Sequence, residues 1–180
     1  FKAHSIVQYY RALEHETPIP FKEHILFQDE YLLVADKPHF LPAVPTGKYL
    51  QETLLVRLKK KTGIDDLAPM HRIDRETAGL MLFTIKPETR GAYQSLFQQK
   101  QVQKQYHAIA AFHDDLVLPM TYRSSMQESE HFMRMQEVAG IENSETRIEL
   151  IEQSNGVGKY LLKPLTGKKH QLRVHMAALG

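Results

Sequence analysis

Residues 71–83 read HRIDRETAGLMLF, in which five ionisable side chains run directly into an apolar stretch. The apolar part, residues 80–83, is typical of a buried strand. A loop held by such a strand can present the carboxylate of Asp74 beside guanidinium groups, and in an extended chain Arg72 lies on the same side as Asp74. Nearby positive charge keeps a carboxylate ionised, as a carboxylate nucleophile requires. Asp74 is therefore a candidate nucleophile. The competing interpretation is a surface ion pair, worth about 0 to 1 kcal/mol and without function.

The segments around this stretch predict a mixture of helices and strands. Leu50, Leu54 and Leu58 recur every four residues, and Pro87 suits the first turn of a helix. Helices are predicted at residues 50–61, 87–99 and 168–180, and strands at residues 31–36, 80–85, 104–112, 147–151 and 160–162. Because these elements do not alternate as in a doubly wound fold, we expect an α+β domain with a largely antiparallel sheet.

The N-terminal residues differ in character from the rest of the chain. Apolar side chains at positions 6, 9, 10 and 13 predict a helix, and the prolines at 18 and 20 end it. We interpret residues 1–20 as an accessory helix and linker. The length of 180 residues corresponds to about one domain at roughly 150 residues each, so we assign residues 21–180 to a single domain.

The composition excludes several classes of protein. With 23 basic and 21 acidic residues, the net charge of +2 is too balanced to indicate a polyanionic partner. The absence of cysteine excludes disulfides, thiolate nucleophiles and thiolate metal sites. The apolar runs fall far short of the ~18 residues of a membrane span, and no leader-like segment precedes them. We therefore expect a cytoplasmic protein with no membrane partner.

The balanced total hides a local charge asymmetry. Between Glu128 and Glu152 seven glutamates stand against two arginines, a local net charge of −5, whereas the residues after Glu152 include five basic side chains and no acid. Arg57 and the lysines at positions 59–61 form a second basic cluster. Such clusters are usually solvated faces. Because they flank the candidate chemistry, they also suit contact with phosphate groups.

The histidine spacing does not indicate a metal site. His170 and His175 lie five residues apart, which turns their side chains about 140° from each other on a helix. The chain also lacks the helical motif of two histidines four apart with an intervening glutamate. We therefore expect no bound metal.

Two further segments carry candidate side chains. Tyr106 stands at the start of a predicted strand. It is either an ordinary packed aromatic or a flat surface for a nucleic acid base, with a phenol for proton transfer. Arg173 lies on the last predicted helix, as a solvated cation or as part of a cluster at the start of that helix, which comprises Lys168, Lys169 and His170. Donors and positive charge at a helix N-terminus suit a phosphate group.

Four segments together resemble the signature motifs of the RluA-type pseudouridine synthases, namely residues 36–38, 71–80, 104–108 and 167–175. Their order and spacing agree with the family from about residue 25 to residue 180. Ala78 stands where a serine is commoner in the family, and Lys168 where an arginine is frequent. The resemblance implies a pseudouridine synthase fold, in which a mixed, mainly antiparallel sheet is flanked by helices around a central cleft.

The resemblance also implies an activity. The family isomerises uridine to pseudouridine in structured RNA, here ribosomal or transfer RNA, without a metal or organic cofactor. It implies that Asp74 is the nucleophile, that Tyr106 stacks on the flipped base and takes part in deprotonating the sugar or base, and that Arg173 pairs with Asp74. Arg72 would help to displace or replace the target base. Contacts to RNA are expected from Arg72, Arg75, Lys168, Lys169 and His170.

The match to the family has gaps. Family domains continue beyond the closing helix with strands that complete the sheet, and this chain begins at Phe1, so we expect a fragment of a longer protein. Neither a separate N-terminal RNA-binding domain nor an obligate protein partner is implied. Residues 114–143, which are Met-rich and acidic, least resemble the family and are expected to form variable loops and an edge hairpin.

Two other functions stay open at this level. A chain without the last strands could serve as an RNA-binding or folding module without turnover. An aspartate-based glycosidase acting on a nucleoside would need a second carboxylate, for which Glu76 is the nearest candidate. The sequence also leaves open which RNA is the target, and whether Asp74 attacks C1′ or promotes a glycal-like intermediate.

Overall fold

The computed structural model describes residues 16–130 and 134–180. The helix predicted between residues 6 and 13 lies outside these residues. The chain divides into two compact units, of which the first ends at Ser95 and the second spans Leu96–Gly180. The boundary predicted between residues 20 and 21 stays a prediction.

The first unit contains a four-stranded antiparallel sheet with the strand order β1-β2-β4-β3. Its elements are β1 (His24–Gln28), β2 (Leu32–Lys37), α1 (Leu54–Thr62), β3 (Ala68–Pro69) and β4 (Gly79–Thr84). Alternate residues of a strand lie on the same face, so Leu33, Ala35 and Lys37 are all buried. Leu33 and Ala35 pack with Leu54 and Leu58 of α1 in an apolar core. The same alternation places a lysine in the interior at the end of β2.

The strands predicted in this unit are confirmed, and two others were missed. β2 and β4 agree within one residue with the strands expected at residues 31–36 and 80–85. β1 was not predicted because four of its five residues are exposed, so it lacks the alternation that marks a half-buried strand. β3 has only two residues and includes Pro69, which leaves almost no local signal.

Helix α1 begins at Leu54, so the predicted start at residue 50 was wrong. The backbone N–H groups of residues 50–52 donate to the carboxylate of Glu16 at 2.6–3.1 Å instead of joining the helix. Thr53 then serves as the N-cap. The helix ends at Thr62, within one residue of the predicted end, and the cap residue Gly63 has a φ of 72° in the left-handed region that favours glycine. A contact distant in sequence therefore decides where the helix starts.

Helix α2 occupies Arg90–Gln98 and follows a 3-10 turn at Pro87–Thr89. The single helix predicted over residues 87–99 is thus confirmed in extent, but its first turn is wound more tightly. Pro87 stands at the first position of this turn, where its missing N–H group is not needed.

The second unit contains a five-stranded antiparallel sheet with the strand order β5-β9-β8-β6-β7. Its elements are β5 (Tyr106–Ala111), β6 (Met120–Glu128), β7 (Met135–Val138), β8 (Ser144–Ser154), β9 (Val157–Pro164) and α3 (Gln171–Ala178). The buried core consists of Ile148, Tyr160 and Leu162, against which Leu172 and Met176 of α3 pack. The strands predicted at residues 104–112, 147–151 and 160–162 all lie within or overlap this sheet.

The segment 114–143 contains both an expected and an unexpected element. β6 and β7 form an antiparallel hairpin, and β7 lies at the edge of the sheet, as expected. β6 also pairs with β8 and therefore lies inside the sheet, which the sequence did not indicate. The antiparallel pairing and the separate helices confirm the predicted α+β class, although the strands form two sheets and not one. None of the helices in the described part of the chain is long and apolar enough to cross a membrane.

Candidate functional site

The loop that carries Asp74 connects Met70 to β4. Met70 N–H donates to the carbonyl of Leu82 at 2.9 Å, and the N–H of Leu82 donates to Nε2 of His71 at 3.3 Å. The imidazole thus serves as an acceptor at Nε2 and ties the start of the loop to the buried strand. This attachment confirms that a strand delivers the ionisable cluster.

Asp74 stands at the first position of a tight turn. Its carbonyl oxygen accepts a hydrogen bond from the N–H of Thr77 at 3.1 Å, which closes a four-residue turn. Arg75 and Glu76 form the exposed corner of that turn, whereas Asp74 is half-buried. Gly79 then adopts a φ of 126°, which favours glycine, as the chain enters β4. The backbone therefore holds the position of Asp74 from both ends of the turn.

A buried lysine lies beneath this turn. The side chain of Lys37 is fully buried, and its ammonium donates to the carbonyls of Pro38 at 2.9 Å, Leu41 at 2.8 Å and Arg75 at 3.1 Å. Burial lowers the pKa of Lys37 to about 8, although the negative charges of Glu76 and Asp74 act to raise it. Lys37 is therefore a buried positive charge in the electrostatic neighbourhood of Asp74.

Sequence reasoning gave Lys37 no role. It appeared only within the motif at residues 36–38, yet it falls on the buried face of β2 and pairs in register with Gly79. A lysine that continues an apolar alternation is rarely placed in an interior without a partner. The apolar alternation of β2 was therefore a signal that Lys37 is buried. It could not identify the carbonyl of Arg75 as a partner, because Arg75 lies 38 residues away.

The arginines of the loop are exposed. The guanidinium of Arg75 pairs with the carboxylate of Glu76 at 3.1 Å, and both side chains are close to half exposed. Arg72 is exposed as well. His39 Nδ1 lies 2.6 Å from the carbonyl oxygen of Glu76, which links the loop after β2 to the corner of the turn. The two motifs of the first unit, residues 36–38 and 71–80, are thus brought together by direct contacts.

The motif at residues 104–108 contacts the residue directly before the motif at residues 167–175. Tyr106 is the first residue of β5, is half-buried and packs against the core of this unit. Just before it, the ammonium of Lys104 donates to the carbonyl of Thr166 at 3.4 Å, and burial lowers the pKa of Lys104. The start of β5 therefore lies against the loop that leads into α3.

The loop before α3 is organised by Gln171. The N–H of Lys168 donates to Oε1 of Gln171 at 3.0 Å, and the N–H of Gln171 donates to the carbonyl of Lys168 at 3.2 Å. Lys168 and Lys169 are exposed, and His170 adopts a positive φ of 55° at the N-cap. The predicted basic cluster therefore lies on the surface at the start of the helix. Arg173, two residues after Gln171 on α3, is also exposed.

The second predicted basic cluster is partly neutralised. Arg57 pairs with Glu52 and, at 3.3 Å, with Glu23, and it also donates to the carbonyls of Ile19 and Phe21. A guanidinium occupied in this way holds the segment before β1 against α1. Arg57 is therefore a structural cation, and the prediction of a basic surface cluster was wrong for this member.

Comparisons with known proteins agree with this geometry. A family model described as RNA pseudouridylate synthase matches residues 31–178. The chain is 30% identical over 175 residues to the dual-specificity RNA pseudouridine synthase RluA of Haemophilus influenzae, across 93% of this chain and 77% of that protein. It is also 30% identical to the mitochondrial tRNA pseudouridine(32) synthase of Saccharomyces cerevisiae, across 92% of this chain but only 37% of the yeast protein.

Solved structures give the same picture. Human RNA pseudouridylate synthase domain containing 4 matches with a TM-score of 0.67 and 28% identity, over 86% of this chain and 63% of that chain. Human RNA pseudouridylate synthase domain containing 1 matches with a TM-score of 0.74 over 92% of this chain and 69% of that chain. At 23% identity the second match supports the fold alone.

Proposed function

The chain belongs to the RNA pseudouridylate synthase family, and from this premise we propose that it isomerises uridine to pseudouridine in structured RNA, with Asp74 as the nucleophile. Family membership confirms the resemblance that the four motifs carry. The observation that supports the role of Asp74 is its place in a hydrogen-bonded turn. The carbonyl of the following residue, Arg75, accepts a hydrogen bond from the buried ammonium of Lys37.

The reaction makes definite demands on the protein. The bond between N1 of uracil and C1′ must break, the base must turn, C5 must bond to C1′, and C5 must lose its proton. A carboxylate can attack C1′ or promote a glycal-like intermediate, and either route needs a negatively charged group in a fixed place. The turn at Asp74 supplies that group, and its negative charge acts to raise the pKa of the buried Lys37 nearby.

The detached base must be retained while it turns. The target nucleotide has to leave its stack, which costs a few kcal/mol, and stacking on an aromatic ring returns about 1 to 3 kcal/mol. Tyr106 is the aromatic side chain that we assign to this role, because the packed start of β5 holds its backbone in place. We assign to Arg173 the role that the resemblance implies for it.

Binding of the RNA backbone requires exposed positive charge. The side chains assigned to phosphate contacts are Arg72, Arg75, Lys168, Lys169 and His170. The first four are exposed, so they can reach a phosphate without the cost of desolvating a buried cation. The relatives include enzymes named for transfer RNA and for the large ribosomal subunit, and we accordingly propose structured RNA as the class of substrate.

The proposal is tested by tritium release from RNA labelled at C5 of uracil, with chromatography of the nucleosides formed. The substrate is total RNA from cells that lack the gene. The unchanged protein is expected to release tritium and form pseudouridine. Asp74→Asn should lower the rate at least about 10³-fold, as loss of a nucleophile does in other enzymes. The matched control, Glu76→Gln, changes the neighbouring carboxylate and should stay within about tenfold of the unchanged protein.

Other outcomes would contradict the proposal in distinguishable ways. Continued release by Asp74→Asn would remove Asp74 from the role of nucleophile. Free uracil instead of pseudouridine would indicate a glycosidase. Salt-sensitive RNA binding without any turnover would indicate a binding module.

A further inference from the structure

Helix α3 is attached to its sheet by polar side chains. Its two buried residues are Gln171, which is 3% exposed, and His175, which is fully buried. Leu172 and Met176 are only half-buried. A helix of this length would ordinarily bury an aliphatic stripe, so the polar attachment needs an explanation.

The buried imidazole of His175 is surrounded by hydroxyl groups. Its Nε2 lies 3.1 Å from Oγ of Ser124 and 3.0 Å from Oγ of Ser144, and its Nδ1 lies 3.0 Å from Oγ1 of Thr146. The hydroxyl of Ser144 donates to the carbonyl of Ser124 at 2.9 Å. Oγ1 of Thr146 also accepts from the amide of Gln171 at 2.9 Å. These five buried polar side chains, on α3, β6 and β8, are named here the α3 network.

The hydrogen bonds of the α3 network assign the protons. Because the hydroxyl hydrogen of Ser144 is donated to the carbonyl of Ser124, the oxygen of Ser144 can only accept from Nε2 of His175. Nε2 then carries the imidazole proton and donates to the serine hydroxyls. With a neutral imidazole every donor has an acceptor. In the neutral ring Nδ1 accepts from the hydroxyl of Thr146, and a second proton on Nδ1 would force that hydroxyl to turn away.

Burial favours the neutral form of His175. The ring of Tyr122 on β6 meets the ring of His175 edge-on, with centroids 4.9 Å apart, and its hydroxyl donates to Glu137 of β7 at 3.0 Å. Burial lowers the pKa of His175, and the negative charge of Glu137 opposes this in part. The α3 network is therefore complete at neutral pH.

The α3 network fixes which face of the helix is turned to the sheet, and therefore which face carries Arg173. At 100° per residue, Gln171 and His175 lie on one face, and Arg173 lies about 200° from Gln171 on the opposite, exposed side. A slip of the helix by one residue would turn Arg173 by about 100°. Apolar packing tolerates small slips, whereas directional bonds from two residues one turn apart oppose both rotation and sliding.

We propose that His175, through its bonds to Ser124, Ser144 and Thr146, is a positioning residue that holds Arg173 in place for catalysis. The inference rests on the proposed function, in which Arg173 takes part in the reaction. His175 itself is buried beneath the helix and does not reach solvent. Supporting side chains of this kind matter because a displacement of about 1 Å can cost about 10²-fold in rate.

The test compares variants of the complete protein. His175→Phe keeps a ring but removes three hydrogen bonds, and Thr146→Val is nearly isosteric and removes two. Both should lower kcat about 10- to 100-fold, with KM for RNA within about threefold, because phosphate contacts supply most of the affinity. Ile148→Val is the matched control. It trims a buried residue of β8 in the same core, removes no hydrogen bond and should leave kcat unchanged.

Two further measurements separate positioning from a general loss of structure. In the background Arg173→Ala, under single-turnover conditions, addition of Thr146→Val should lower the rate less than about threefold, because nothing is left to position. In NMR spectra, the Nε–H signal of Arg173 should shift or broaden in Thr146→Val but not in Ile148→Val.

Several outcomes would overturn the inference. One is an unchanged kcat in folded Thr146→Val. Another is an equal loss of rate on adding Thr146→Val to the unchanged protein and to Arg173→Ala. A third is an Nε–H signal of Arg173 that is unaltered in Thr146→Val. Failure of the proposed function can be distinguished from failure of this inference. In the first case the unchanged protein forms no pseudouridine. The NMR comparison then still decides whether the α3 network positions Arg173.

Discussion

The ammonium of Lys37 donates a hydrogen bond of 3.1 Å to the carbonyl oxygen of Arg75, the residue that follows Asp74. This contact links the end of a buried strand to the turn that carries the proposed nucleophile. Two more carbonyls, of Pro38 and Leu41, complete the surroundings of the same ammonium. The lysine therefore supports the turn in two ways, by geometry and by charge.

Replacement of this lysine should destabilise the protein. Lys37→Met keeps the length of the side chain but leaves three carbonyl oxygens without their donor, and we expect a loss of about 1 to 3 kcal/mol in the free energy of unfolding. Urea denaturation followed by circular dichroism measures this loss. Lys60→Met, at an exposed position of α1, should change the stability by less than about 0.5 kcal/mol. Equal stabilities of the two variants would show that the buried contact contributes nothing.

The titration of Lys37 should be unusual. Burial lowers its pKa from 10.5 to about 8, so the folded protein releases this proton at lower pH than the unfolded chain. The contribution of Lys37 to the free energy of unfolding therefore rises as pH increases from about 8 to 10.5. NMR of the lysine Cε carbons should show one midpoint near 8 that is missing in Lys37→Met. A full set of midpoints near 10.5 would refute the shift.

The stability of the second unit should fall at mildly acidic pH because of His175. Burial holds the pKa of this imidazole below its ordinary value of 6.5, so the unfolded chain binds the proton first as pH decreases. The stabilisation from a neutral His175 is fully present above pH 6.5 and is lost progressively as pH falls from there toward the folded pKa. Urea denaturation at a series of pH values, compared with His175→Gln, measures this contribution. His107→Gln, at an exposed position of β5, should keep the pH dependence of the unchanged protein; if His175→Gln keeps it too, His175 is not its source.

The contacts of Arg57 should stabilise the first unit more than a surface ion pair does. Its side chain is 18% exposed and bonds to two carboxylates and to the carbonyls of Ile19 and Phe21. We expect Arg57→Met to cost about 2 kcal/mol in the free energy of unfolding. Arg147→Met breaks an exposed pair with Glu149 and should cost less than about 1 kcal/mol. The comparison is made by urea denaturation, and the opposite order of the two losses would contradict this interpretation.

Local sequence predicted those parts of the fold whose signals are local. The alternation of apolar residues in β2 and β4, and the glycine that ends α1, depend on neighbours within a few residues. The candidate residues Asp74, Tyr106 and Arg173 were also found from short motifs, and each lies in the element, turn or helix where its motif predicted it. Their roles in the reaction stay a proposal.

Contacts between distant residues decided the rest. Glu16 delays the start of α1 from 34 residues away, Lys37 supports the turn at Asp74 from 38 residues away, and His175 meets Ser124 across 51 residues. A buried polar side chain is stable only where folding brings its partners, and no pattern in its own segment names them. The sequence by itself therefore determined the kinds of elements and the family of the chain. Only the tertiary structure showed which buried polar side chains support the residues proposed to act, because those partners meet only once the sheets have formed.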